Sequence, residues 1–354
     1  MFKGHGGAWY KLKQDKKILD FSSNVNPLGP PVGIWPLIRS KLDTLKRLPE
    51  LDAFSLRRSL ANKFGIKEDN ILVASGTSEF IYLFPFIFRS SCVYMPIPTY
   101  ADYQSSSISA GLRVYPLGRW KIFPEDENYF PKVIKDIKPN SLIYICNPNN
   151  PTGEFIPPKL LISLISSVKD SIWIIDESYI EFIGDDQICS LISDNMPSNL
   201  IVLRSFSKIY GLPGLRLGVL VAEKRLAEKV ESFLRPWAVS SIAIEAGKEL
   251  LTYEFYVKSV REFCQNQKEF LLKSLDFHPF LNPIAKDAHF FLIQVKAPWS
   301  VKWLCEKLYS FNVLVRDCSN FIGLSNEFIR ISPGNIEENK RLVQILFSLI
   351  DSKP

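Results

Sequence analysis

The sequence predicts an α/β protein with a mostly parallel sheet. Between about residues 31 and 235, short apolar segments alternate with helical stretches, which is typical of strands joined by crossover helices. Hydrophobic residues make up 46% of the chain and charged residues 23%, as in ordinary globular proteins, and 354 residues suffice for about two domains. The apolar segments, which we expect to be strands, lie at 71–74, 92–95, 142–146, 172–175, 200–203 and 217–221.

Composition and periodicity divide the chain into three parts. Residues 1–30, where glycine, proline and polar residues alternate, form an N-terminal arm. A large domain follows at 31–238 and a small C-terminal domain at 239–354. In the small domain we expect an α+β arrangement, with helices at 240–251, 256–275 and 335–351 and strands at 289–295, 312–316 and 328–332.

Charge, cysteines and hydropathy argue against several classes of partner. The net charge of +6 includes no run of five or six basic residues, so we expect no nucleic-acid partner. The six cysteines are scattered without a CxxC pair, which is typical of reduced cytosolic thiols and argues against disulfides or a metal site. No apolar core of a signal peptide follows Met1, and the most apolar stretch, 80–88, is too short to span a bilayer. We therefore expect a cytoplasmic protein without a membrane partner.

The segment SFSKIYGLPGLRLG contains the first candidate for chemistry. Lys208 follows the apolar strand 200–203, with Ser205 and Ser207 just before it and Arg216 behind a Gly-Leu-Pro-Gly bend. An amine that condenses with an aldehyde must be held out of bulk water, and serines with an arginine beside it supply a phosphate site. The segment therefore predicts a lysine that binds pyridoxal 5'-phosphate as a Schiff base.

Two upstream loops fit the same cofactor. In ASGTSEF, Gly76, Thr77 and Ser78 lie between a strand and a helix, where backbone N–H groups and hydroxyls bind phosphate. Thr and Ser also cap helices for purely structural reasons. In CNPNNPTGE, Asn150 follows a strand and can donate a hydrogen bond to a phenolate oxygen, although an Asn-Pro turn explains such a string as well.

Three further side chains suit a flat pyridine ring. Asp176 ends the buried strand of WIIDESYIEF, and a carboxylate there can pair with a protonated ring nitrogen. Tyr179, one helical turn later, can reach the ring hydroxyl. Tyr100, in PIPTYADY, can stack on the ring. A helix-capping aspartate and a core tyrosine are the structural alternatives.

Taken in this order, the segments resemble the fold type I pyridoxal-phosphate enzymes, and among them the histidinol-phosphate aminotransferase-like group. The resemblance covers essentially the whole chain. It implies a large domain with a mostly parallel sheet between helices, a smaller α+β domain, and a homodimer with shared active sites. Catalytic roles fall to Lys208, Asp176 and Tyr179. The implied cofactor-binding residues are Gly76, Thr77, Ser78, Tyr100, Asn150, Asp176, Tyr179, Ser205, Ser207, Lys208 and Arg216.

Within that group, the segments HGG, DFSSNVNPLGPP, RPWAVSS and VLVRDCSNFIGLSNEFIRIS are similar to those of the threonine-phosphate decarboxylase family of the cobalamin side-chain pathway. The similarity implies a small phosphoamino acid as substrate. The implied substrate contacts are His5, Gly6, Asn24, Asn150, Arg316 and Arg330.

The residue types agree with such a substrate. A molecule with a carboxylate and a phosphate calls for two arginines, because a planar guanidinium binds each anion through two hydrogen bonds. Arg316 and Arg330 each lie in an apolar strand, where an unpaired charge is costly. A structural salt bridge is the alternative for each arginine.

Two positions depart from the family pattern. Leu48 precedes Pro49 where the family has a tyrosine that reaches the cofactor phosphate of the neighbouring subunit. His289 precedes Phe290 where the family has an asparagine, and it either lines the substrate pocket or is a core histidine.

The leading hypothesis is decarboxylation of O-phospho-L-threonine or O-phospho-L-serine. The alternative is transamination of histidinol phosphate or a related substrate, with Lys208 moving the proton. A DNA-binding regulator with this fold would need a basic helix-turn-helix module, of which the chain shows no sign, and no G-x-G-x-x-G follows a strand to bind a dinucleotide.

Overall fold

The computed structural model describes residues 6–12, 17–120 and 134–351. The described strands are β1 (Leu19–Asp20), β2 (Ile71–Ala74), β3 (Val93–Ile97), β4 (Val114–Arg119), β5 (Leu142–Cys146), β6 (Ile172–Asp176), β7 (Leu200–Ser205), β8 (Gly218–Ala222), β9 (Leu281–Ile284), β10 (Phe291–Val295), β11 (Val313–Leu314), β12 (Arg316–Asp317) and β13 (Phe328–Ile331). The described α-helices are α1 (Ile34–Ser40), α2 (Phe54–Phe64), α3 (Thr77–Phe88), α4 (Ala101–Ser109), α5 (Pro158–Ser167), α6 (Asp186–Cys189), α7 (Phe206–Ile209), α8 (Lys224–Glu231), α9 (Ser241–Leu250), α10 (Glu254–Leu275), α11 (Val301–Ser310) and α12 (Ile336–Ile350).

A mostly parallel sheet forms the centre of the larger part. Its strand order is β2-β8-β7-β6-β5-β3-β4, and among these described strands β8 alone runs in the direction opposite to all the others. Strands β5, β6 and β7 are buried on both faces, as expected for parallel strands covered by helices. The predicted α/β class is confirmed.

The connection from β7 to β8 places the Lys208 segment at the sheet. Antiparallel neighbours need no crossover helix, so the short helix α7 and the bend at 213–215 suffice to reverse the chain. Because β2 is antiparallel to β8, it runs parallel to β7. The carboxyl ends of β2, β3, β5, β6 and β7 therefore meet at one edge, where open α/β sheets bind their ligands.

The smaller part contains an antiparallel sheet, β12-β13-β10-β9, packed against helices. The prediction of a single strand at 312–316 was wrong. It splits at residue 315, because β11 pairs in parallel with β1 of the arm whereas β12 joins the antiparallel sheet. Strands β1, β4 and β9 were not predicted from the sequence.

The N-terminal arm contacts both the larger and the smaller part of the chain. Phe21 is buried in the core of the small sheet, and the backbone N–H of Asn26 donates to the carbonyl of Lys208 at 3.0 Å. Helix α9 packs in the core of the large sheet, and α10 contributes to both cores. The division at residue 238 stays a prediction. In the described part of the chain, no helix combines the length and apolar character needed to cross a membrane.

A buried ion cluster ties the ends of β6 and β7 together. Arg204, only 3% exposed, donates to Glu181 at 2.7 Å and to Asp186 at 2.8 Å, and lies 3.5 Å from Glu177. Glu177 is fully buried, and burial raises its pKa to about 7 although Arg204 opposes the shift. Glu177 is buried and Glu181 is partly buried, so their charges depend on Arg204 for compensation.

Arg204→Leu should lower the free energy of unfolding by about 3–5 kcal/mol, because it leaves buried carboxylates without a cation. Urea unfolding measures the change. Lys224→Ala is the control, since the Lys224–Asp69 ion pair is exposed and should contribute almost nothing. Equal stability of the two variants would contradict the importance of the cluster.

Candidate active site

The edge where the parallel strands end opens into a cavity of about 280 Å³, near the lower end of the range for small-molecule sites. Asn24 does not line it, and His5 lies outside the described residues. The predicted site residues that line it are Gly6, Gly76, Thr77, Ser78, Tyr100, Asn150, Asp176, Tyr179, Ser205, Ser207, Lys208, Arg216, Arg316 and Arg330.

Lys208 places its amine inside this cavity. The Nζ atom donates to the carbonyl oxygen of Ser23, in the arm, at 3.0 Å. Burial lowers the pKa of Lys208 to about 8, and the charges of Arg330 and Arg216 add to the shift. An amine with this pKa is about one-tenth unprotonated at pH 7, a far larger fraction than for an ordinary lysine, and the unprotonated form is the one that attacks an aldehyde.

One end of the cavity is built to bind an anion. Helix α3 begins at Thr77, directly after Gly76, whose φ of 85° is a conformation that side chains rarely adopt. A Cβ atom at Gly76 would collide with the guanidinium of Arg216, and one at Gly218 would collide with the backbone N–H of Thr77. The helix N-terminus, with its free N–H groups, and Arg216 are thus in close contact. Ser205 and Ser207 line the same cavity.

Asp176 is held by three neutral donors. Its Oδ1 atom accepts from both the backbone N–H and the hydroxyl of Ser178, and its Oδ2 atom accepts from Tyr103 at 2.8 Å. Burial raises the pKa of Asp176 and these hydrogen bonds oppose the shift.

Tyr100 lies beside this carboxylate at the start of α4. Its hydroxyl donates to Asp102 at 2.7 Å, so the ring is anchored at its outer end. The ring meets that of Tyr103 edge to face, with centroids 5.5 Å apart. The face of Tyr100 is thereby fixed against the cavity wall.

Arg330 connects the small sheet to the large domain and to the arm. It donates to the Oδ1 atom of Asn150 and, at 2.6 Å, to the carbonyl of Ser22, and its guanidinium lies over the ring of Phe290. Since arginine only donates, Asn150 must direct its amide nitrogen elsewhere. That nitrogen has no partner among the described residues and fits the predicted donation to a phenolate oxygen.

Arg316 is the second buried cation from the small sheet. It donates to Asn320 at 2.7 Å and to the carbonyl of Asp317, and it lies over the ring of Phe321. Burial lowers its pKa to about 10. Neither Arg316 nor Arg330 forms an ion pair with a carboxylate in the part of the chain that the structure describes. The salt-bridge alternative therefore finds no support there.

Asn24 acts on the cavity through Tyr179. Its side-chain amide nitrogen donates to the Tyr179 hydroxyl at 3.4 Å. Its backbone carbonyl oxygen lies 3.3 Å from Nε2 of His289. His289 does not line the cavity and stacks on Phe182, with ring centroids 3.6 Å apart. Burial lowers the pKa of His289 to about 3, so it is neutral. Its position is that of a core histidine behind Tyr179.

The sequence reasoning missed several residues that the structure brings to the site. Tyr103, in the same PIPTYADY string as Tyr100, holds Asp176, and Ser178, two residues after it, does so too. The arm contributes the carbonyls of Ser22 and Ser23. The sequence offered one signal for Tyr103, because a tyrosine three residues after Tyr100 lies on the same side of α4, one turn later. It offered no signal for the backbone carbonyls, which every residue has.

The geometry defines the class. A buried lysine of lowered pKa, a helix N-terminus beside an arginine, and a carboxylate and tyrosine in the same cavity fit the amine, phosphate and ring of pyridoxal phosphate. This is the fold and site of the fold type I pyridoxal-phosphate enzymes. The chain belongs to the aminotransferase class I and II family, whose model matches residues 16–346, and its cofactor is pyridoxal 5'-phosphate.

Individual relatives point in two directions. The chain is 32% identical over 349 residues to the adenosylcobalamin biosynthesis bifunctional protein CobDQ of Leptospira interrogans, covering 96% of this chain but only 40% of that protein. It is 33% identical to histidinol-phosphate aminotransferase 2 of Archaeoglobus fulgidus, covering 94% and 93%. The crystal structure of L-threonine-O-3-phosphate decarboxylase from Porphyromonas gingivalis superposes with a TM-score of 0.83 at 27% identity, covering 95% and 100%.

The lowered pKa of Lys208 predicts how the apoprotein captures its cofactor. Only the unprotonated amine attacks the aldehyde, so the rate of covalent capture should rise with pH and level off above about 8. Stopped-flow absorbance measures this rate, and Lys208→Ala should show no covalent capture. A rate in the wild type that keeps rising to pH 10 would show an ordinary, solvated lysine.

Proposed function

We propose that this protein decarboxylates an O-phosphorylated amino acid in forming the cobalamin nucleotide-loop side chain. O-phospho-L-threonine would give 1-aminopropan-2-ol phosphate, and O-phospho-L-serine would give ethanolamine phosphate. The observation that carries the proposal is that Arg316 and Arg330, both buried and without a carboxylate partner among the described residues, face the cavity of Lys208. Two such cations suit a substrate with a carboxylate and a phosphate.

The proposed roles follow from the contacts of each side chain. Lys208 binds the cofactor and moves protons at the substrate. Asp176 faces the ring nitrogen, and Tyr100 stacks on the ring. Asn150, whose amide nitrogen is free of Arg330, donates to the ring oxygen together with Tyr179. The cofactor phosphate is bound by Gly76, Thr77, Ser78, Ser205, Ser207 and Arg216.

The orientation of the substrate decides the reaction. When bound, pyridoxal phosphate accepts the electrons of the substrate bond that stands perpendicular to its ring. Arg316 and Arg330 bind the anionic groups and so set which bond that is. The arm takes part because Gly6 and Ser22 line the cavity, and the carbonyl of Ser22 accepts from Arg330. The similarity of the arm to threonine-phosphate decarboxylases supports loss of carbon dioxide.

An aminotransferase is the second candidate, and one observation favours it. The same two arginines suit the two carboxylates of glutamate or 2-oxoglutarate, the amino donor and acceptor of many transaminases. The 33% identity to a histidinol-phosphate aminotransferase supports this reading as strongly as the overall identity supports the other.

Product analysis separates the two reactions. Holoenzyme incubated with O-phospho-L-threonine or O-phospho-L-serine should release carbon dioxide without any keto acid, and Lys208→Ala should release none. The two substrates differ by one methyl group, so a preference of about 1–3 kcal/mol is expected between them. Formation of glutamate from histidinol phosphate and 2-oxoglutarate, with no carbon dioxide from either phosphoamino acid, would establish the aminotransferase instead.

We also propose that two copies share their active sites. Exposed apolar side chains cluster in residues 32–54, where Val32 is 90% exposed and Leu48 74%. So many exposed apolar side chains within one segment support an interface there. The proposed homodimer places Leu48 beside the cofactor phosphate of the partner, where it donates no hydrogen bond.

Leu48→Tyr should tighten cofactor binding about tenfold or more, because a hydrogen bond to a charged group contributes roughly 1.5–3 kcal/mol. Equilibrium titration of the apoprotein measures the dissociation constant. Leu45→Tyr is the matched control, since Leu45 is also exposed but was not predicted to contact the phosphate. An unchanged constant in Leu48→Tyr, or a fully active monomer in sedimentation analysis, would contradict the shared site.

A further inference from the structure

Tyr103 is fully buried on α4 and contacts Asp176 from outside the cavity. Its ring stacks on Tyr144, with centroids 4.9 Å apart and planes 12° from parallel, and meets Tyr100 edge to face. Held between these rings, the hydroxyl donates to Oδ2 of Asp176 at 2.8 Å. Tyr103 does not line the cavity, so it acts on a ligand only through its neighbours.

Asp176 has no cation to hold its charge. Among the residues that the structure describes, no lysine, arginine or histidine forms an ion pair with it. The titratable groups that face it are the hydroxyls of Tyr100, Tyr103 and Tyr179 and the thiol of Cys146. Burial raises the pKa of each of these groups, so all are neutral near pH 7.

Hydrogen bonds must therefore replace the missing cation. Ser178 supplies both donors to Oδ1, and Tyr103 is the described donor to Oδ2. A buried carboxylate that loses a donor becomes more basic and binds a proton more readily. Asp176 would then take the proton from a partner nitrogen instead of stabilising it there.

We propose that Tyr103 is a positioning residue that holds the Asp176 carboxylate ionised and directed into the cavity, so that the pyridine nitrogen of the cofactor stays protonated. This inference rests on the proposed role of Asp176 and is independent of which reaction the enzyme catalyses. A residue outside the cavity thus controls how strongly the ring of the bound cofactor accepts electrons.

The test is the ¹⁵N chemical shift of the ring nitrogen in holoenzyme loaded with ¹⁵N-labelled pyridoxal phosphate at neutral pH. In the wild type the shift should be that of a protonated ring. In Tyr103→Phe, which keeps the ring stack, it should move toward that of an unprotonated pyridine. The cofactor dissociation constant should rise as well, because a more basic Asp176 keeps the proton and pairs less well with the ring nitrogen. The value of kcat should fall more than KM changes.

Tyr144→Phe is the matched control, because it removes a hydroxyl from the adjoining ring that forms no hydrogen bond with Asp176. It should leave the ¹⁵N shift at the wild-type value. Incorporation of 3-fluorotyrosine at position 103, a more acidic phenol and stronger donor, covers the case in which Tyr103→Phe does not fold. That protein should keep the ring protonated to at least the wild-type extent and bind the cofactor at least as tightly.

The variant Asp176→Asn separates the role of Asp176 from that of Tyr103. A protonated ring in Asp176→Asn would overturn the proposed role of Asp176 itself. An unprotonated ring in Asp176→Asn together with a wild-type shift in Tyr103→Phe would overturn the role of Tyr103 alone. Weaker cofactor binding by the fluorotyrosine protein than by the wild type would overturn it as well.

Discussion

The ion cluster around Arg204 is the constraint on which the active-site edge depends. Successive residues of a strand point to opposite faces of a sheet, so Glu177 and Arg204 lie across the sheet from their neighbours Asp176 and Ser205. Arg204 joins the end of β6 to that of β7 through buried carboxylates. One face of these strand ends is thus fixed by charge, which holds the opposite face, with the site, in register.

The buried cations outside and inside the cavity differ in their partners. Arg204 has three carboxylates around it, whereas Lys208, Arg316 and Arg330 have none among the described residues and donate to backbone carbonyls or amide oxygens. Burial lowers the pKa of all three. Uncompensated buried cations destabilise a fold, and they are tolerated where an anionic ligand completes them. The cavity is therefore complementary to a phosphorylated cofactor, and its further cations support the proposal of a substrate with two anionic groups.

With the arm, three parts of the chain that are distant in sequence build the site. Strand β1 pairs with β11 of the small domain, Asn26 is bound to the Lys208 segment, and Ser22 and Ser23 lie between them. The arm is thus bonded to both the larger and the smaller part of the chain. The two arginines on which the proposed reaction depends, Arg316 and Arg330, lie in the small sheet, and the arm contacts Arg330 through the carbonyl of Ser22.

Local sequence determined much of this protein. The strands at 71–74 and 142–146 were predicted to the residue, because turn signals and continuous apolar runs mark buried strands in any context, and the segments that line the cavity were recognisable from residue types beside strand ends. Tertiary structure decided the rest. Edge strand β4 is only half buried and contains Pro116 and Gly118, so no local pattern announces it. The direction of β8, the division of 312–316 between two sheets, and the bond from Tyr103 to Asp176 depend on pairing across long stretches of chain, which no window of neighbouring residues encodes.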